Sequence, residues 1–202
     1  MDLFIHRYLP VTTVEGPGKR FCIWVQGCSI RCEGCGVPWT WNKEKGRAIS
    51  IEQLFTEIKK SKQENGIEGV TFLGGEPFDQ AMTLGKLAMM AKDLGLTVMT
   101  FSGYLYEDLQ KRDECQDLLA VADLLIDGPF VKSKLDLKRP WVGSSNQRYH
   151  FLTSAYKHLE NNLESIGNKL EIRIYDDGTV SINGMATQQT LSELFSKDEF
   201  RN

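Results

Sequence analysis

The stretch FCIWVQGCSIRCEGCG, residues 21–36, decides how the chain is organised. It begins with Phe21 to Gln26, an apolar and aromatic run between glycine-containing segments, which is typical of a buried strand. Three cysteines follow at once, at Cys28, Cys32 and Cys35. The pattern therefore predicts a strand that delivers a cysteine-rich loop to one edge of a sheet.

The cysteine loop has the composition of a site for an inorganic centre. Gly27, Gly34 and Gly36 lie among the three cysteines and allow the backbone to curl closely. Iron-sulfur clusters are held by cysteine thiolates, and a cubane bound by only three of them keeps one iron open to a substrate. The loop therefore predicts a 4Fe-4S cluster with an open iron.

Zinc is the main structural alternative for this loop. A closed zinc site needs four ligands, usually as paired C-x2-C motifs or with histidines at short spacing. Only one C-x2-C pair is present, at Cys32 and Cys35, and the three histidines are remote in sequence. Cys22 lies within the apolar strand, where a buried thiol is common. The spacing favours the cluster, and zinc or simple packing stays open as the alternative.

Beyond the loop, apolar strands alternate with helical patterns. Ser50 can cap a helix that ends at Asn65-Gly66. The elements predicted after it are a strand at 70–73, a helix over about 81–94, a strand at 96–101, an interrupted helix over 106–121 and a strand at 124–126. This order is typical of an α/β fold with a mainly parallel sheet, whose ligands collect at the carboxyl ends of the strands.

The length suggests an incomplete barrel. A full (β/α) barrel typically needs about 250 residues, so the 202 residues of this chain predict a partial, open barrel. Residues 170–175 and 180–183 flank a turn at Asp176-Asp177-Gly178 and predict a C-terminal hairpin, followed by a short helix over about 190–195. We expect one domain over 1–202, with a core at about 15–152 and a C-terminal extension at about 153–202.

The composition narrows the classes of function. Apolar residues make up 41% of the chain and charged residues 25%, with a formal net charge of -3. That balance lacks the basic excess of a general nucleic-acid binder, and no apolar stretch approaches the ~20 residues that cross a bilayer. The five cysteines, three of them close together, argue for thiols kept reduced rather than for a secreted disulfide scaffold. We therefore expect a cytoplasmic protein with no membrane partner and no direct nucleic-acid binding.

The C-x3-C-x2-C spacing is the signature of the radical S-adenosylmethionine superfamily, which this chain resembles. The segment EGPGKRFCIWVQGC, residues 15–28, is similar to the same region of activating enzymes for glycyl-radical proteins. The closer resemblance is to the anaerobic ribonucleotide reductase activating enzymes. It is carried by TFLGGEP (71–77), FSGY (101–104), LLIDGPF (124–130) and GSSNQR (143–148). Many superfamily members have an aromatic residue before the third cysteine, whereas this chain has Gly34, as the reductase activators do.

This resemblance implies a reaction. An electron donor such as flavodoxin or ferredoxin would reduce the cluster, whose open iron binds the amino and carboxylate groups of S-adenosylmethionine. Cleavage of that compound would give a 5'-deoxyadenosyl radical. The radical would then take a hydrogen atom from a glycine of a glycyl-radical enzyme, expected to be an anaerobic ribonucleoside-triphosphate reductase.

The resemblance also implies roles for individual residues. Cys28, Cys32 and Cys35 would bind the cluster. The backbone of Gly74 and Gly75 and the Glu76 carboxylate would face the methionine ammonium, Gly34 and Gly36 would lie near the adenine, and Ser102 and Asp127 would lie near the sulfonium or ribose. The alternatives are a plain strand-to-helix turn at Gly74–Pro77 and a turn carboxylate at Asp127.

Several features leave the function open. Arg148, in GSSNQR, could bind a carboxylate or form an ordinary surface ion pair, and Asn146 is a weaker candidate. The loop is surrounded by Trp24, Trp39 and Trp41. Such tryptophans more often belong to the core or shield a cluster than contact a substrate. The C-terminal extension could dock a different partner, so a radical enzyme acting on a peptide, another protein or a small molecule is the alternative. A binding protein with a redox or structural cluster is a further one.

Overall fold

The computed structural model of the protein describes residues 1–194. Short 3-10 turns, among them Pro77–Gln80, connect several of its elements. The strands and helices are, in chain order, β1 (Asp2–Thr12), β2 (Arg20–Val25), β3 (Arg47–Ser50), α1 (Ile51–Asn65), β4 (Gly69–Gly74), α2 (Ala81–Asp93), β5 (Thr97–Phe101), α3 (Tyr106–Leu109), α4 (Gln116–Val121), β6 (Leu124–Asp127), β7 (Arg148–Phe151), β8 (Leu170–Ile174), β9 (Val180–Gly184) and α5 (Gln188–Leu194).

The central sheet has seven strands in the order β3-β1-β2-β4-β5-β6-β7. Its four inner strands β2, β4, β5 and β6 are parallel, which confirms the expected α/β architecture with a mostly parallel centre. Antiparallel strands flank them, β1 and β3 on one side and β7 on the other. The sequence interpretation had no strand at β1 or β3. The order describes an open sheet with edges at β3 and β7, and a partial barrel stays a prediction.

Helix α1 forms where its local sequence predicts it. The Ser50 hydroxyl accepts a hydrogen bond from the Gln53 backbone N–H (3.2 Å), and the Gln53 side chain accepts one from the Ser50 N–H (3.3 Å). This capping box satisfies amide groups at the start of the helix that have no partner within it. Gly66 ends the helix in the left-handed conformation, with φ 63°. Leu54 and Ile58 are fully buried against the sheet.

Both faces of the sheet are covered. In β6, Leu125 packs into the core beneath α1 and α2, whereas Leu124 and Ile126 pack into a second cluster on the other face with Trp141 and Tyr156. Since successive side chains of a strand alternate between faces, a continuous apolar run is what a strand buried on both sides requires. The parallel strands therefore form a rigid support for the loops at their carboxyl ends.

The predicted C-terminal hairpin is present as β8 and β9, which pair antiparallel. It lies against β1, where Arg7 Nη2 donates to Asn183 Oδ1 (2.6 Å) and the Thr12 hydroxyl donates to Glu171 Oε2 (2.9 Å). The short last helix begins at Gln188, and Phe195 of the expected helix lies outside the described residues. Within residues 1–194, no helix combines the length and apolar character needed to span a bilayer.

Candidate functional site

The cysteine loop leaves the carboxyl end of β2 and is closed at its base. The Gly27 N–H donates to the Thr40 carbonyl (2.8 Å), and the Cys28 N–H donates to the Trp41 carbonyl (3.1 Å). The buried Gln26 amide Nε2 donates to the Trp39 carbonyl (2.8 Å). Residues 28–40 therefore form a loop whose two ends are hydrogen-bonded to each other beside the parallel strands.

The three loop cysteines are free thiols, each partly exposed. Burial raises the pKa of Cys28 and of Cys32, while backbone N–H groups oppose that shift by stabilising the thiolates. Ile30 and Arg31 supply those N–H groups to Cys28, and Phe130 supplies one to Cys32. Cys35 Sγ accepts the Val37 N–H (3.4 Å). Each thiol thus has a backbone donor suited to an anionic sulfur ligand.

The donor set fits an iron-sulfur cubane. Within the described residues, no group of three or more His, Cys, Asp or Glu side chains surrounds a single metal-ion position. A cubane makes a different demand, because each thiolate binds a different iron and the sulfurs need not converge on one point. Three partly exposed thiols on one loop meet that demand, and Gly34 allows the turn between two of them with φ 75°.

Asp79 ties the cysteine loop to the turn after β4. Its carboxylate accepts hydrogen bonds from the Ser29 N–H (2.8 Å) and the Ser29 hydroxyl (2.8 Å). The Tyr104 hydroxyl donates to the same carboxylate (3.0 Å) and lies 2.6 Å from Ser29 Oγ. The sequence interpretation did not identify Asp79 or Tyr104. Asp79 lies two residues beyond GGEP, and its partner is 50 positions away in the chain.

The Gly74-Gly75-Glu76 segment passes directly against the base of the cysteine loop. The Gly75 N–H donates to the Val25 carbonyl (2.9 Å), and the Glu76 N–H donates to the Gly27 carbonyl (2.8 Å). A Cβ at position 75 would lie 2.2 Å from the Gly27 carbonyl oxygen, so only glycine fits there. The two segments expected to form the site are therefore in backbone contact.

Glu76 is buried, with 1% of its surface exposed. Oε1 accepts from the Phe78 N–H (2.9 Å) and the Ser102 hydroxyl (3.0 Å), and Oε2 accepts from the Gly103 N–H (2.7 Å). Burial raises the pKa of Glu76 to about 7, although all three hydrogen bonds favour the carboxylate. Glu76 therefore holds Ser102 and the Gly103 backbone close to the cysteine loop.

Asp127 also contacts the segment after β5, residues 102–106, which Glu76 binds through Ser102 and Gly103. It is fully buried, and its Oδ2 accepts the Tyr106 N–H at 2.6 Å. The Arg148 Nε donates to Oδ1 (2.9 Å), Arg148 Nη2 pairs with Oδ2, and His150 Nε2 lies 3.1 Å from Oδ1. Burial alone would raise the pKa of Asp127, but the nearby His150 and the hydrogen bonds from Arg148 and the Tyr106 N–H outweigh it and lower that pKa.

Arg148 also binds a second carboxylate. Its two terminal nitrogens donate to Glu107 at 2.9 and 2.8 Å, and this pairing lowers the pKa of Glu107 to about 2. Arg148 is therefore an ion-pair residue that links β7 to Asp127 and to α3. The Asn146 amide Nδ2 donates to the Pro129 carbonyl (2.8 Å), while its buried Oδ1 has no hydrogen-bond partner among residues 1–194.

Five of the residues expected to contact S-adenosylmethionine are connected to one another. Gly74 to Glu76 and Ser102 lie around the cysteine loop, and Asp127 reaches this group through the 102–106 loop. A cavity of about 540 Å³ adjoins Cys28, Ser29, Trp41 and Asp79, and none of the residues expected to contact S-adenosylmethionine lines it. Of the three tryptophans near the loop, only Trp41 lines this cavity. Trp24 is buried, and Trp39 is 54% exposed.

Comparisons with known proteins identify the family of the chain. The family described as "4Fe-4S single cluster domain" matches residues 14–150. The anaerobic ribonucleoside-triphosphate reductase-activating protein of Vibrio cholerae is 30% identical over 159 residues, covering 73% of this chain and 97% of that protein. The protein of the same name from Enterobacteria phage T4 is 32% identical over 164 residues, covering 75% and 97%.

Two further matches are partial. The pyruvate formate-lyase-activating enzyme of Listeria monocytogenes is 32% identical over 126 residues, covering 60% of this chain and 51% of that enzyme. The crystal structure of QueE from Escherichia coli aligns with a TM-score of 0.44 and 22% identity, over 51% of this chain and 53% of that one. From the family match and the two nearly full-length relatives, the chain belongs to the 4Fe-4S single cluster domain family and is a radical S-adenosylmethionine enzyme of the activating type.

Proposed function

We propose that this protein installs a glycyl radical on a partner enzyme, an anaerobic ribonucleoside-triphosphate reductase. The observation that carries the proposal is the three-cysteine loop, held by Asp79 and by the Gly75–Glu76 backbone at the carboxyl end of parallel strands. Two relatives that match over 97% of their length bear the name of activating proteins for that reductase. In this proposal, residues 1–202 act as one radical S-adenosylmethionine domain with a partial barrel.

Cys28, Cys32 and Cys35 would hold a 4Fe-4S cluster. The bound cluster would supply the electron and the open iron site for reductive cleavage of S-adenosylmethionine, yielding a 5'-deoxyadenosyl radical. The backbone N–H groups that face Cys28 and Cys32 would stabilise negative charge on the sulfurs and so influence the reduction potential. Gly34 and Gly36 would leave space for the adenine.

Glu76, Ser102 and Asp127 would act mainly by positioning. A carboxylate offers about four acceptor positions, and Glu76 already accepts three hydrogen bonds from Phe78, Ser102 and Gly103. One position is left for the ammonium of S-adenosylmethionine. Asp127 would hold residues 102–106 through Tyr106, and its place near the sulfonium or ribose stays a proposal.

A second candidate function rests on the C-terminal extension. The family match ends at residue 150, and the two reductase-activating relatives cover only 73% and 75% of this chain. The β8-β9 hairpin lies in the part beyond that match and presents Ile174, which is 77% exposed. This added surface favours a radical enzyme that modifies a different protein, a peptide or a small molecule.

The test begins with anaerobically reconstituted protein and a candidate reductase. With dithionite and S-adenosylmethionine, we expect 5'-deoxyadenosine and a glycyl-radical doublet in electron paramagnetic resonance. Cys32→Ala should lose both products, whereas Cys115→Ala, which removes a buried thiol remote from the loop in sequence, should keep them. Flavodoxin or ferredoxin can then replace dithionite to identify the donor.

The outcomes separate the proposals. Formation of 5'-deoxyadenosine without a doublet would reject the reductase as partner and favour the second candidate function. A protein that holds stoichiometric zinc and no iron after anaerobic purification would contradict the cluster itself.

A further inference from the structure

A second cavity lies at the opposite end of the sheet from the cysteine loop. It has a volume of about 700 Å³ and is lined by residues just before β2 and β4 and at the start of β5, including Lys19, Glu68 and Thr97. Because these strands are parallel, all three residues mark amino-terminal strand ends. The cavity is therefore separate from the proposed S-adenosylmethionine site, which lies at the carboxyl ends.

A buried positive charge lies behind the wall of this cavity. Arg20 is fully buried, yet within residues 1–194 it forms no ion pair with a carboxylate. Its guanidinium donates only to neutral oxygens, among them the Thr71 hydroxyl (2.5 Å), the Pro17 carbonyl (3.2 Å) and the Val70 carbonyl. Buried charges are normally paired, so the charge of Arg20 is balanced here by the dipoles of neutral acceptors alone.

Two hydroxyl groups connect Arg20 to the cavity. Arg20 Nη1 donates to the Tyr156 hydroxyl (2.7 Å) and to Thr97 Oγ1 (3.2 Å), and both of these residues line the cavity. The two hydroxyl oxygens are themselves 2.5 Å apart. Hydrogen bonds from a cation polarise the groups that accept them, so this wall of the cavity favours negative charge.

Two positively charged side chains, Lys19 and Lys169, line the cavity. The Lys19 ammonium also donates to the Asn65 carbonyl (3.2 Å). Glu68 is the single carboxylate in the lining contributed by the described residues, and its Oε1 already accepts the Lys19 N–H at 3.0 Å. Positive charge therefore predominates around the cavity, in a chain whose formal net charge is -3.

Trp141 adds an apolar wall and a strained backbone. It lines the cavity with a φ of 63°, which is an uncommon conformation for a bulky residue. Leu159 and Ile166 line the same space. Such outliers persist where the surrounding structure holds them, often at ligand sites. Small-molecule sites typically have volumes of about 300–1,000 Å³ and mostly apolar walls with a few polar groups, which this cavity resembles.

We propose that this cavity binds a nucleotide-sized organic phosphate, with its phosphate groups toward Lys19, Lys169 and the Tyr156 hydroxyl and its ring against Trp141. Much of the site comes from the region after residue 150, where Tyr156, Ile166 and Lys169 lie and where the family match has ended. The site would thus be a feature of the extended chain and not of the shared radical core.

ATP is a suitable probe, measured by isothermal titration calorimetry on the cluster-loaded protein. Saturating S-adenosylmethionine is included so that the site at the carboxyl ends is filled. We expect ATP to bind, and adenosine and inorganic phosphate each to bind at least about 10-fold more weakly, since each carries only part of the complementary chemistry. ATP should also quench tryptophan fluorescence. Loss of this quenching in Trp141→Phe would show that the ring of ATP lies against Trp141.

Charge reversal provides the matched comparison. Lys169→Glu should weaken ATP binding by about 10-fold or more, whereas Lys60→Glu, an equal charge change on an exposed face of α1, should not. Tyr156→Phe keeps the ring and removes the hydroxyl that Arg20 polarises, so it should also weaken binding. Formation of 5'-deoxyadenosine should be unchanged in Lys169→Glu, which separates this proposal from the proposed function.

Two results would overturn the proposal. One is the absence of any ATP binding under these conditions. The other is ATP binding that Lys169→Glu and Tyr156→Phe leave unaltered, or that Lys60→Glu weakens equally, since either would mean that ATP binds elsewhere on the surface.

Discussion

Asp79 accepts two hydrogen bonds from Ser29, the residue that follows the first cysteine of the loop, and both are 2.8 Å long. Tyr104 adds a third at 3.0 Å. Asp79 lies in the turn after β4, so these bonds fix the cysteine loop to the segment that also contains Gly75 and Glu76. The position of Cys28 therefore depends on a side chain that binds neither the cluster nor its ligand in the proposed site.

Replacing Asp79 by alanine should loosen the cysteine loop. The three hydrogen bonds are exposed to solvent, so we expect the free energy of unfolding to fall by only about 1–2 kcal/mol. The larger effect should be on the iron and sulfide content after anaerobic reconstitution, which we expect to drop well below that of the unaltered protein. Hydrogen exchange of residues 28–36 should become faster.

Asp108→Ala is the control for Asp79→Ala. Asp108 is also an exposed carboxylate, with 58% of its side chain accessible, and it pairs with Lys111 away from the loop. If both variants load iron equally well, the Asp79–Ser29 contact does not support the loop.

Local patterns predicted the elements that depend on neighbours in sequence. Helix α1 was predictable because Ser50, Gln53 and Gly66 act within one turn of its ends, and β4 and β5 were predictable because strands buried on both faces need continuous apolar runs. The placement of the cysteine loop and the Gly74–Glu76 turn at one edge of the sheet also followed, since both succeed parallel strands.

Long-range pairing explains what the sequence did not reveal. Strand β1 joins the sheet by antiparallel pairing with β2 and with β3, and Pro10 interrupts its apolar pattern. Asp79 and Arg20 look like ordinary charged residues until the fold brings Ser29 to one and Tyr156 to the other. Such roles arise from contacts between distant segments, for which a single sequence carries no local signal.

Gly75→Ala should damage the junction between the two loops. The added Cβ would lie 2.2 Å from the Gly27 carbonyl oxygen, a backbone atom that cannot move aside without displacing the cysteine loop. We expect a loss of about 1–3 kcal/mol in urea unfolding, as for other overpacked sites, together with poor cluster loading. Gly36→Ala is the matched control, because nothing lies within 4 Å of its added Cβ. An unfolding free energy for Gly75→Ala equal to that of Gly36→Ala would contradict the close backbone contact.

Glu76 should make stability depend on pH. Burial raises its pKa from 4.5 to about 7 in the folded chain. Between these values the folded state keeps a proton that the unfolded state releases, so the contribution of Glu76 is most favourable below pH 4.5 and declines as the pH rises toward 7. The total change should be about 3 kcal/mol.

Glu76→Gln isolates this contribution, since glutamine does not titrate. Urea unfolding of both cluster-free proteins at a series of pH values should show the variant gaining stability relative to the unaltered chain between pH 4.5 and about 7. Parallel stability curves across that interval would show that Glu76 titrates normally in the folded protein.

Arg148→Met should lower the free energy of unfolding, because it removes the arginine that pairs with the buried Asp127 carboxylate. Arg148 is the cation that pairs with Asp127 at Oδ2, and Asp127 is fully buried, so its loss leaves that charge with only the Tyr106 N–H and the nearby His150. Breaking a buried ion pair typically costs about 3–5 kcal/mol. We expect about 2 kcal/mol here, since the Arg148 side chain is 42% exposed and solvent screens part of the interaction.

Lys111→Met provides the comparison for Arg148→Met, because its partner Asp108 is 58% exposed and such surface pairs contribute less than about 1 kcal/mol. Urea unfolding measures both, and a loss in Arg148→Met no greater than that in Lys111→Met would mean that Asp127 does not need its arginine.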